Sequence, residues 1–160
     1  MALVDVVADR EILCVTGPAS TAAVEGAVTA RQTTDPGLTA VWVRVGAQRD
    51  RSATTRALYT ALGLDRRRPR PRILADAEEL IAGELRRSAR LVVVPDAHRL
   101  RTDALELLYG MWAHGAPDRF PLVLAGDAGL DRVLKRPALA SLASSVLRHR
   151  LPASALNAGS

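Results

Sequence analysis

Gly17, Pro18, Ser20 and Thr21 form the first group of residues whose types and spacing could do chemistry. They lie in the segment VTGPAST, directly after the apolar run EILC. A glycine turn followed by hydroxyls at the start of a helix can attract an anion, because the free N–H groups of a helix N-terminus carry partial positive charge. These four residues are therefore candidate phosphate-binding residues.

Asp96 and Asp127 are the second group, since each follows a short apolar run: VVVP before Asp96 and LVLAG before Asp127. Two carboxylates at the ends of neighbouring strands could form an acid–base pair. The interpretation we favour is that they cap or hydrogen-bond neighbouring loops. His114 and His149 have no partner at metal-ligand spacing, so no metal site is predicted.

An arginine-rich segment, DRRRPRPR, spans residues 65–72. Its two prolines forbid a continuous helix and its like charges repel, which predicts an exposed loop between two helices. Guanidinium groups on such a loop could neutralise the phosphates of a nucleic-acid backbone. The alternative is a solvated loop without a ligand, since the segment has no aromatic residues to stack on bases. The candidate nucleic-acid-binding residues are Arg66, Arg67, Arg68, Arg70 and Arg72.

Composition limits the classes of protein to which the chain can belong. Its 160 residues are 48% hydrophobic and 24% charged, with a net charge of +5, which fits one globular domain and not a disordered chain. Of the 22 basic residues only Lys135 is a lysine. The single cysteine, Cys14, excludes a disulfide framework and is expected to be a buried small hydrophobic residue.

The chain has no apolar run long enough for a membrane span and no basic N-terminal region of the signal-peptide kind. We therefore expect a cytoplasmic protein with no membrane partner. Residues 1–152 are predicted to form a single domain without a C-terminal helical lid. Residues 153–160 are predicted to be a flexible tail.

Apolar runs alternate with segments of helical period, which predicts a three-layer α/β domain with helices on both faces of a mostly parallel sheet. Helices are expected over 20–32, 51–63, 73–88, 101–115 and 128–143. Trp42, on a strand, and Trp112, on a helix, are both expected in the core. About five strands are predicted: Glu11–Thr16, Thr39–Val45, Arg90–Val94, Pro121–Ala125 and Val146–Leu151.

Three segments together resemble the P-loop ATPases of the AAA type used in bacterial transposition and related regulatory systems. They are VTGPASTAAVEGAV, VVVPDAHRLRTDAL and LVLAGDAGLDRVLKRP. The resemblance extends from about Glu11 to Pro152. It implies a P-loop NTPase-like fold, ATP with Mg²⁺ as the ligand, and DNA and regulatory or transposase-like proteins as partners.

The candidate nucleotide-binding residues depart from that family's pattern. A working phosphate loop reads G-x-x-x-x-G-K-[ST], with the lysine on the terminal phosphates and the hydroxyl on Mg²⁺. Here GPA leads straight into Ser20 and Thr21, as if about four residues of this pattern were missing. Lys135 is expected far from this loop, after the fourth strand. The first expected motif is therefore degenerate.

The second motif is also altered. The family ends this strand with Asp-Glu, whose Asp helps to hold Mg²⁺ and whose Glu polarises the attacking water. Aligned on AHRL, this chain has Pro95 and Asp96 at those places. Gly126 and Asp127 occupy the polar sensor region. The family's arginine finger would fall near Arg148 and Arg150, a weak match.

These departures predict a catalytically inactive AAA-type domain without a cofactor, which acts as a scaffold or adaptor by assembling with a protein partner or with itself. Two alternatives stay open. One is a weak ATP-binding ATPase that uses an arginine, such as Arg31 or Arg99, in place of the lysine. The other is a DNA-binding accessory module that acts through the arginine loop.

Overall fold

A computed structural model describes residues 3–151 of the chain. The predicted tail, 153–160, lies outside these residues. Within the described residues, three short 3₁₀ helices occur at Leu64–Arg66, Ala97–Arg99 and Pro137–Leu139. The other elements are α1 (Leu3–Asp9), β1 (Ile12–Thr16), α2 (Ser20–Thr34), β2 (Ala40–Trp42), α3 (Arg51–Ala61), α4 (Leu74–Arg87), β3 (Leu91–Val94), α5 (Thr102–His114), β4 (Leu122–Gly126), α6 (Gly129–Val133), α7 (Ala140–Ser145) and β5 (Val146–Arg150).

The five strands form one parallel sheet in the order β2-β3-β4-β1-β5. Thr16, at the end of β1, pairs with Gly126 of β4 on one side and Arg150 of β5 on the other. The chain leaves β1 toward β2 in one direction and reaches β5 in the other. The topological switch point, where open α/β sheets bind ligands, is therefore at the carboxyl end of β1.

Alternation along the strands builds two cores, one on each face of the sheet. Leu13 and Val15 of β1 belong to the core beneath α1 and α2. Ile12 and Cys14 belong to the larger core, which is covered by helices that follow β2, β3 and β4. Helices on both faces confirm the predicted three-layer α/β fold.

Two helical regions differ from the sequence-based expectation. Helix α1 was not predicted, yet it buries Leu3 and Val6 against the sheet. The helix predicted over 128–143 is interrupted, because Arg136 takes an extended conformation before Pro137 and the chain restarts as a 3₁₀ turn. The strands are predicted in the right places, although β2 has three residues and not the seven expected.

Cys14 and Trp112 are buried, as predicted. Trp42, the third residue expected in the core, is not fully buried. The Cys14 thiol is fully buried, which together with the charge of Asp131 raises its pKa to about 12. Trp112 is 7% exposed and its indole N–H donates to the carbonyl of Arg10 at 3.0 Å. Trp42 is only half-buried, and the guanidinium of Arg44 lies 5.5 Å from its ring centre.

Candidate functional site

The loop between β1 and α2 is the centre of the candidate site, and it has only three residues, 17–19. Gly17 has φ +127°, a conformation that favours glycine, and Ala19 takes the left-handed region at φ 54°. This tight turn brings Ser20 into the first position of α2, where we expected a hydroxyl pair. Three residues give the backbone no length to wrap around a triphosphate.

The polar groups of this loop are used within the fold. The carbonyl oxygen of Gly126 accepts a hydrogen bond from the Ser20 hydroxyl at 2.7 Å and another from the Gly17 N–H at 3.1 Å. Ser20 is 4% exposed. The hydroxyl therefore neither faces the loop opening nor caps the helix: the side chain fastens α2 to the end of β4. Thr21, the next residue, is half-buried at the start of the helix.

Leu151 covers the loop from the side of β5. Its N–H donates to the Thr16 carbonyl at 2.7 Å, which continues the β1–β5 pairing past the end of the strand. A Cβ atom placed on Gly17 would lie 2.5 Å from the Leu151 carbonyl oxygen. The chain itself therefore fills the space directly beside Gly17, whereas Pro18 and Ala19 stay exposed.

His98 and Asp127 connect the ends of β3 and β4. The Asp127 N–H donates to His98 Nδ1 at 3.2 Å, so the ring hydrogen is on Nε2, which lies 3.4 Å from Asp127 Oδ2. Asp127 Oδ1 accepts the Gly129 N–H at 2.7 Å. The Asp127 carboxylate thus hydrogen-bonds the following loop, the favoured interpretation from sequence.

The structure does not bring Asp96 to the same place as Asp127. Asp96 has φ 54° and lines a depression of about 100 Å³ with Arg44, Arg49 and Arg99. Asp127 lines a different, open depression of about 660 Å³. The two carboxylates therefore face different surroundings, which is unfavourable for a paired acid–base site.

Arg132 is a basic residue that sequence reasoning missed. With Pro18, His98 and Asp127 it lines the 660 Å³ depression beside the loop. Its place on α6 could have been inferred only by knowing that α6 starts directly after β4 and turns back over the loop. Of the arginines that we considered instead, Arg31 lies eleven residues beyond Ser20 on α2, about 16 Å along the helix axis. Arg99 lies in the depression with Asp96.

The arginine loop is exposed, as predicted, at each of its arginines: Arg66, Arg67, Arg68, Arg70 and Arg72. One of them, Arg67, is anchored. Its guanidinium donates to the carboxylate of Glu84 at 3.0 Å, and Glu84 is 4% exposed. The Tyr59 hydroxyl also donates to the Pro69 carbonyl, at 3.4 Å. The loop is thus tied to α3 and α4.

Glu84 accepts hydrogen bonds from three arginines at once. Arg87 donates to Oε2 at 2.7 Å, and Arg90 joins Arg67 on Oε1 at 3.3 Å. Burial acts to raise the pKa of Glu84, but the three guanidiniums outweigh burial and hold that pKa below its usual value. This cluster was not foreseen, because its members are spread over residues 67–90.

The expected arginine-finger residues, Arg148 and Arg150, lie on β5. Arg150 lies 3.5 Å from Asp131, and Arg148 is exposed. Within residues 3–151, no three His, Cys, Asp or Glu side chains come together in a way that could hold a metal ion. No helix in the same range is long and apolar enough to cross a membrane.

Comparison with solved structures shows what this architecture is similar to. The Orc1 protein of Aeropyrum pernix, solved in complex with DNA, matches with a TM-score of 0.61 and 17% identity over 89% of this chain and 39% of its own. Cdc6p of Pyrobaculum aerophilum matches with a TM-score of 0.62 and 19% identity over 86% and 38%. The chain has a three-layer α/β fold of the P-loop NTPase-like kind.

Drosophila ORC, solved bound to DNA, matches with a TM-score of 0.58 and 14% identity, over 93% of this chain and 28% of its own. The chain therefore spans about two-fifths or less of the length of these structures. No family model and no curated protein matches the sequence. At these identities the likeness concerns the fold.

Proposed function

We propose that this chain is a non-hydrolysing AAA-type domain, a scaffold or adaptor that acts by assembling with a protein partner or with itself. The observation that carries the proposal is the closed β1–α2 loop. The Ser20 hydroxyl and the Gly17 N–H, which would face phosphate and Mg²⁺ in a working loop, both donate to Gly126. Opening the loop for a ligand would break both bonds.

The lysine that this chemistry needs is also missing from the loop. Lys135, the only lysine, is exposed in the turn that follows α6. Charged clamps on the transferred phosphoryl group provide most of the rate in P-loop ATPases, and one such donor alone contributes about 2.7–4 kcal/mol. A site that lacks the lysine, the metal-binding carboxylate and the loop length is not expected to hydrolyse ATP usefully.

The weak-ATPase alternative is favoured only by the depression beside Pro18. Arg132 and His98 line it, and a phosphate could approach Arg132 there without entering the loop. Neither Arg31 nor Arg99 lines this depression. We therefore expect any residual ATP affinity to depend on Arg132.

Calorimetric titration with ATP, with and without Mg²⁺, tests the proposal. We expect no micromolar binding that requires Mg²⁺. Such binding in the wild type would contradict the proposal. Arg132→Ala and Lys135→Ala form a matched pair of exposed basic positions, so loss of that binding in the first variant alone would locate the nucleotide at Arg132 and favour the weak-ATPase alternative.

Non-specific DNA binding through the arginine loop is a second candidate function. It is supported by the exposure of the loop arginines and by two structural neighbours that were solved with DNA. Arg66, Arg68, Arg70 and Arg72 make no salt bridge with another residue of 3–151. Their guanidiniums are therefore available to phosphates.

A salt series of duplex-DNA binding tests this candidate. Alanine at these four arginines should flatten the plot of log affinity against log salt by about 0.9 for each phosphate that is no longer neutralised. Arg86→Ala, an exposed arginine at the end of α4, is the control and should leave the slope unchanged. Absence of DNA binding at low salt would remove the candidate.

A further inference from the structure

A groove of about 510 Å³ lies between α4 and α5, and it plays no part in the candidate nucleotide site. We call it the α4–α5 groove. Leu85, Leu107 and Phe120, each largely buried, form its apolar floor together with Ala82 and Met111. Ala82 carries only a methyl group and Gly110 has no side chain, which leaves space between the two helices.

Acidic side chains surround this floor. Glu78 is already engaged, because both its oxygens accept from Arg51 at 2.7 and 2.8 Å. Three further carboxylates are exposed and make no salt bridge within residues 3–151. Arg86 also lines the groove and makes no salt bridge in that range, so it offsets one of the three negative charges. These carboxylates are Glu79, Glu106 and Asp118. On a chain of net charge +5, the groove is thus a local acidic site with an apolar floor.

A segment with the complementary chemistry precedes α4. We call residues 70–73, RPRI, the basic segment. Ile73 is 63% exposed, the largest exposure of any large hydrophobic side chain among the described residues. Arg70 and Arg72 precede it in the chain, and both are exposed without an ion-pair partner in the described part of the chain. Pro69 and Pro71 restrict the backbone, which lowers the entropy lost when such a segment is ordered by binding.

We propose that the basic segment of one copy docks in the α4–α5 groove of a second copy, with Ile73 on the apolar floor and Arg70 and Arg72 against the acidic rim. The inference rests on the proposed function and specifies one partner for it. The two surfaces are complementary in charge and polarity, because an exposed apolar side chain that follows two free arginines matches an apolar floor beside free carboxylates.

The contact has to be between molecules. Ile73 directly precedes α4, which forms one wall of the groove, and its exposure shows that it does not occupy its own groove. Reciprocal docking of two segments closes a two-fold dimer, whereas docking in one direction only is heterologous and leaves a free segment at one end and a free groove at the other. Repetition of the one-directional contact gives a ring or an open chain of copies.

Sedimentation velocity over a range of protein and salt concentrations tests the proposal. We expect concentration-dependent association that weakens as salt is added, because the paired charges are exposed. Ile73→Asp should weaken it by about tenfold or more, since one apolar anchor is replaced by a charge that the acidic rim repels. Ile73 and the residues substituted in the charge exchange below are all exposed, and thermal unfolding of each variant checks that it folds.

A charge exchange makes the test specific. A chain with Arg70→Glu and Arg72→Glu should not self-associate, and neither should a chain with Glu79→Arg and Glu106→Arg. An equimolar mixture of the two should associate, since the unchanged segment of the second fits the unchanged groove of the first. The matched control is Arg66→Glu with Arg68→Glu, which makes the same charge change outside the basic segment and should preserve association.

Three results would overturn the inference: a wild-type chain that stays monomeric at every concentration, association that none of the substitutions changes, or a mixture that fails to associate. The inference and the proposed function fail in different ways. Association through another surface would leave the scaffold proposal intact and remove only this contact. Mg²⁺-dependent ATP binding would overturn the non-hydrolysing proposal but leave the segment–groove contact untouched.

Discussion

The β1–α2 loop and the arginine loop are two connections of one domain that differ in whether their polar groups have partners within the fold. In the first, the Gly17 N–H and the Ser20 hydroxyl bond to Gly126, and Leu151 covers the turn. In the second, four of the five arginines have no ion-pair partner among the described residues, and Ile73 is exposed beside them.

The contrast shows where this fold has capacity to bind. In an open parallel sheet the switch point is the usual ligand site, but here its polar groups satisfy one another. Unsatisfied charge and an exposed apolar side chain lie instead in the connection between α3 and α4. The first region is therefore closed by its own hydrogen bonds, and the interactions that we propose involve the second.

Gly17→Ala should have the largest effect and tests whether the loop is as closed as described. Alanine would have to hold φ +127° and place its Cβ against the Leu151 carbonyl, so we expect a loss of about 3 kcal/mol in the free energy of unfolding. Urea denaturation measures it. Gly26→Ala on α2 is the control, because nothing lies within 4 Å of its added Cβ. It should stabilise the helix by about 1 kcal/mol. A neutral Gly17→Ala would mean that the loop is open.

Glu84→Gln should have the second-largest effect on the free energy of unfolding, and it tests how the arginine loop is anchored. It leaves three guanidiniums without their shared countercharge, but these are partly solvated, so we expect a loss of about 2 kcal/mol at neutral pH. Glu79→Gln, an exposed glutamate on the same helix, should change stability by less than about 0.5 kcal/mol.

The pH dependence of stability in the same variant tests whether the charge of the Glu84 carboxylate stabilises the fold. Because the folded-state pKa of Glu84 is lowered, its contribution is fully present above the unfolded-state pKa of about 4.3 and is lost as the pH falls through the folded-state value. The wild type and Glu84→Gln should therefore differ in stability at pH 7 and converge in acid. A difference that persists unchanged at low pH would show that the carboxylate charge is not responsible.

Ser20→Ala should have a smaller effect. It removes the donor to Gly126 but leaves the Gly17 N–H on the same oxygen, which predicts a loss of about 1 kcal/mol. Thr21→Ala, one residue further along the helix, is the control and should change stability by less than about 0.5 kcal/mol. Equal effects of the two substitutions in urea denaturation would mean that Ser20 does not fasten α2 to β4.

The smallest effect is expected at Cys14, on the strand that leads into the loop. Its raised pKa and full burial predict that a thiol reagent such as dithionitrobenzoate does not react with the native protein at neutral pH. Reaction should follow only on unfolding. Rapid reaction of the native thiol would show that β1 opens locally, which would weaken the description of a closed region.

Local sequence patterns predicted much of the fold. The apolar runs at β1, β3 and β4 predicted buried parallel strands, and the prolines and like charges of 65–72 predicted the exposed loop. The helix predicted over 128–143 was too long because the restriction that Pro137 imposes on Arg136 was overlooked. Helix α1 was missed because seven residues show too little periodicity to stand out from the flanking chain.

The closure of the site depends on distant pairs that spacing does not reveal. Ser20 bonds to a carbonyl 106 positions later, and Gly17 is covered by Leu151. The missing lysine was visible in the sequence, but the filling of the remaining space was not. The same holds for Glu84, a glutamate in the last turn of the amphipathic helix α4, which the sequence alone does not distinguish from Glu78 or Glu79.

Titration with Mg²⁺ and ATP, followed by amide chemical shifts, tests the closed loop most directly. The amides of Gly17, Ser20 and Asp127 report on the loop and on the depression beside it. We predict that these three signals stay in place up to millimolar nucleotide. Saturable shifts centred on Gly17 and Ser20, absent without Mg²⁺, would contradict the account, because they would show a phosphate replacing the Gly126 carbonyl as the partner of the loop.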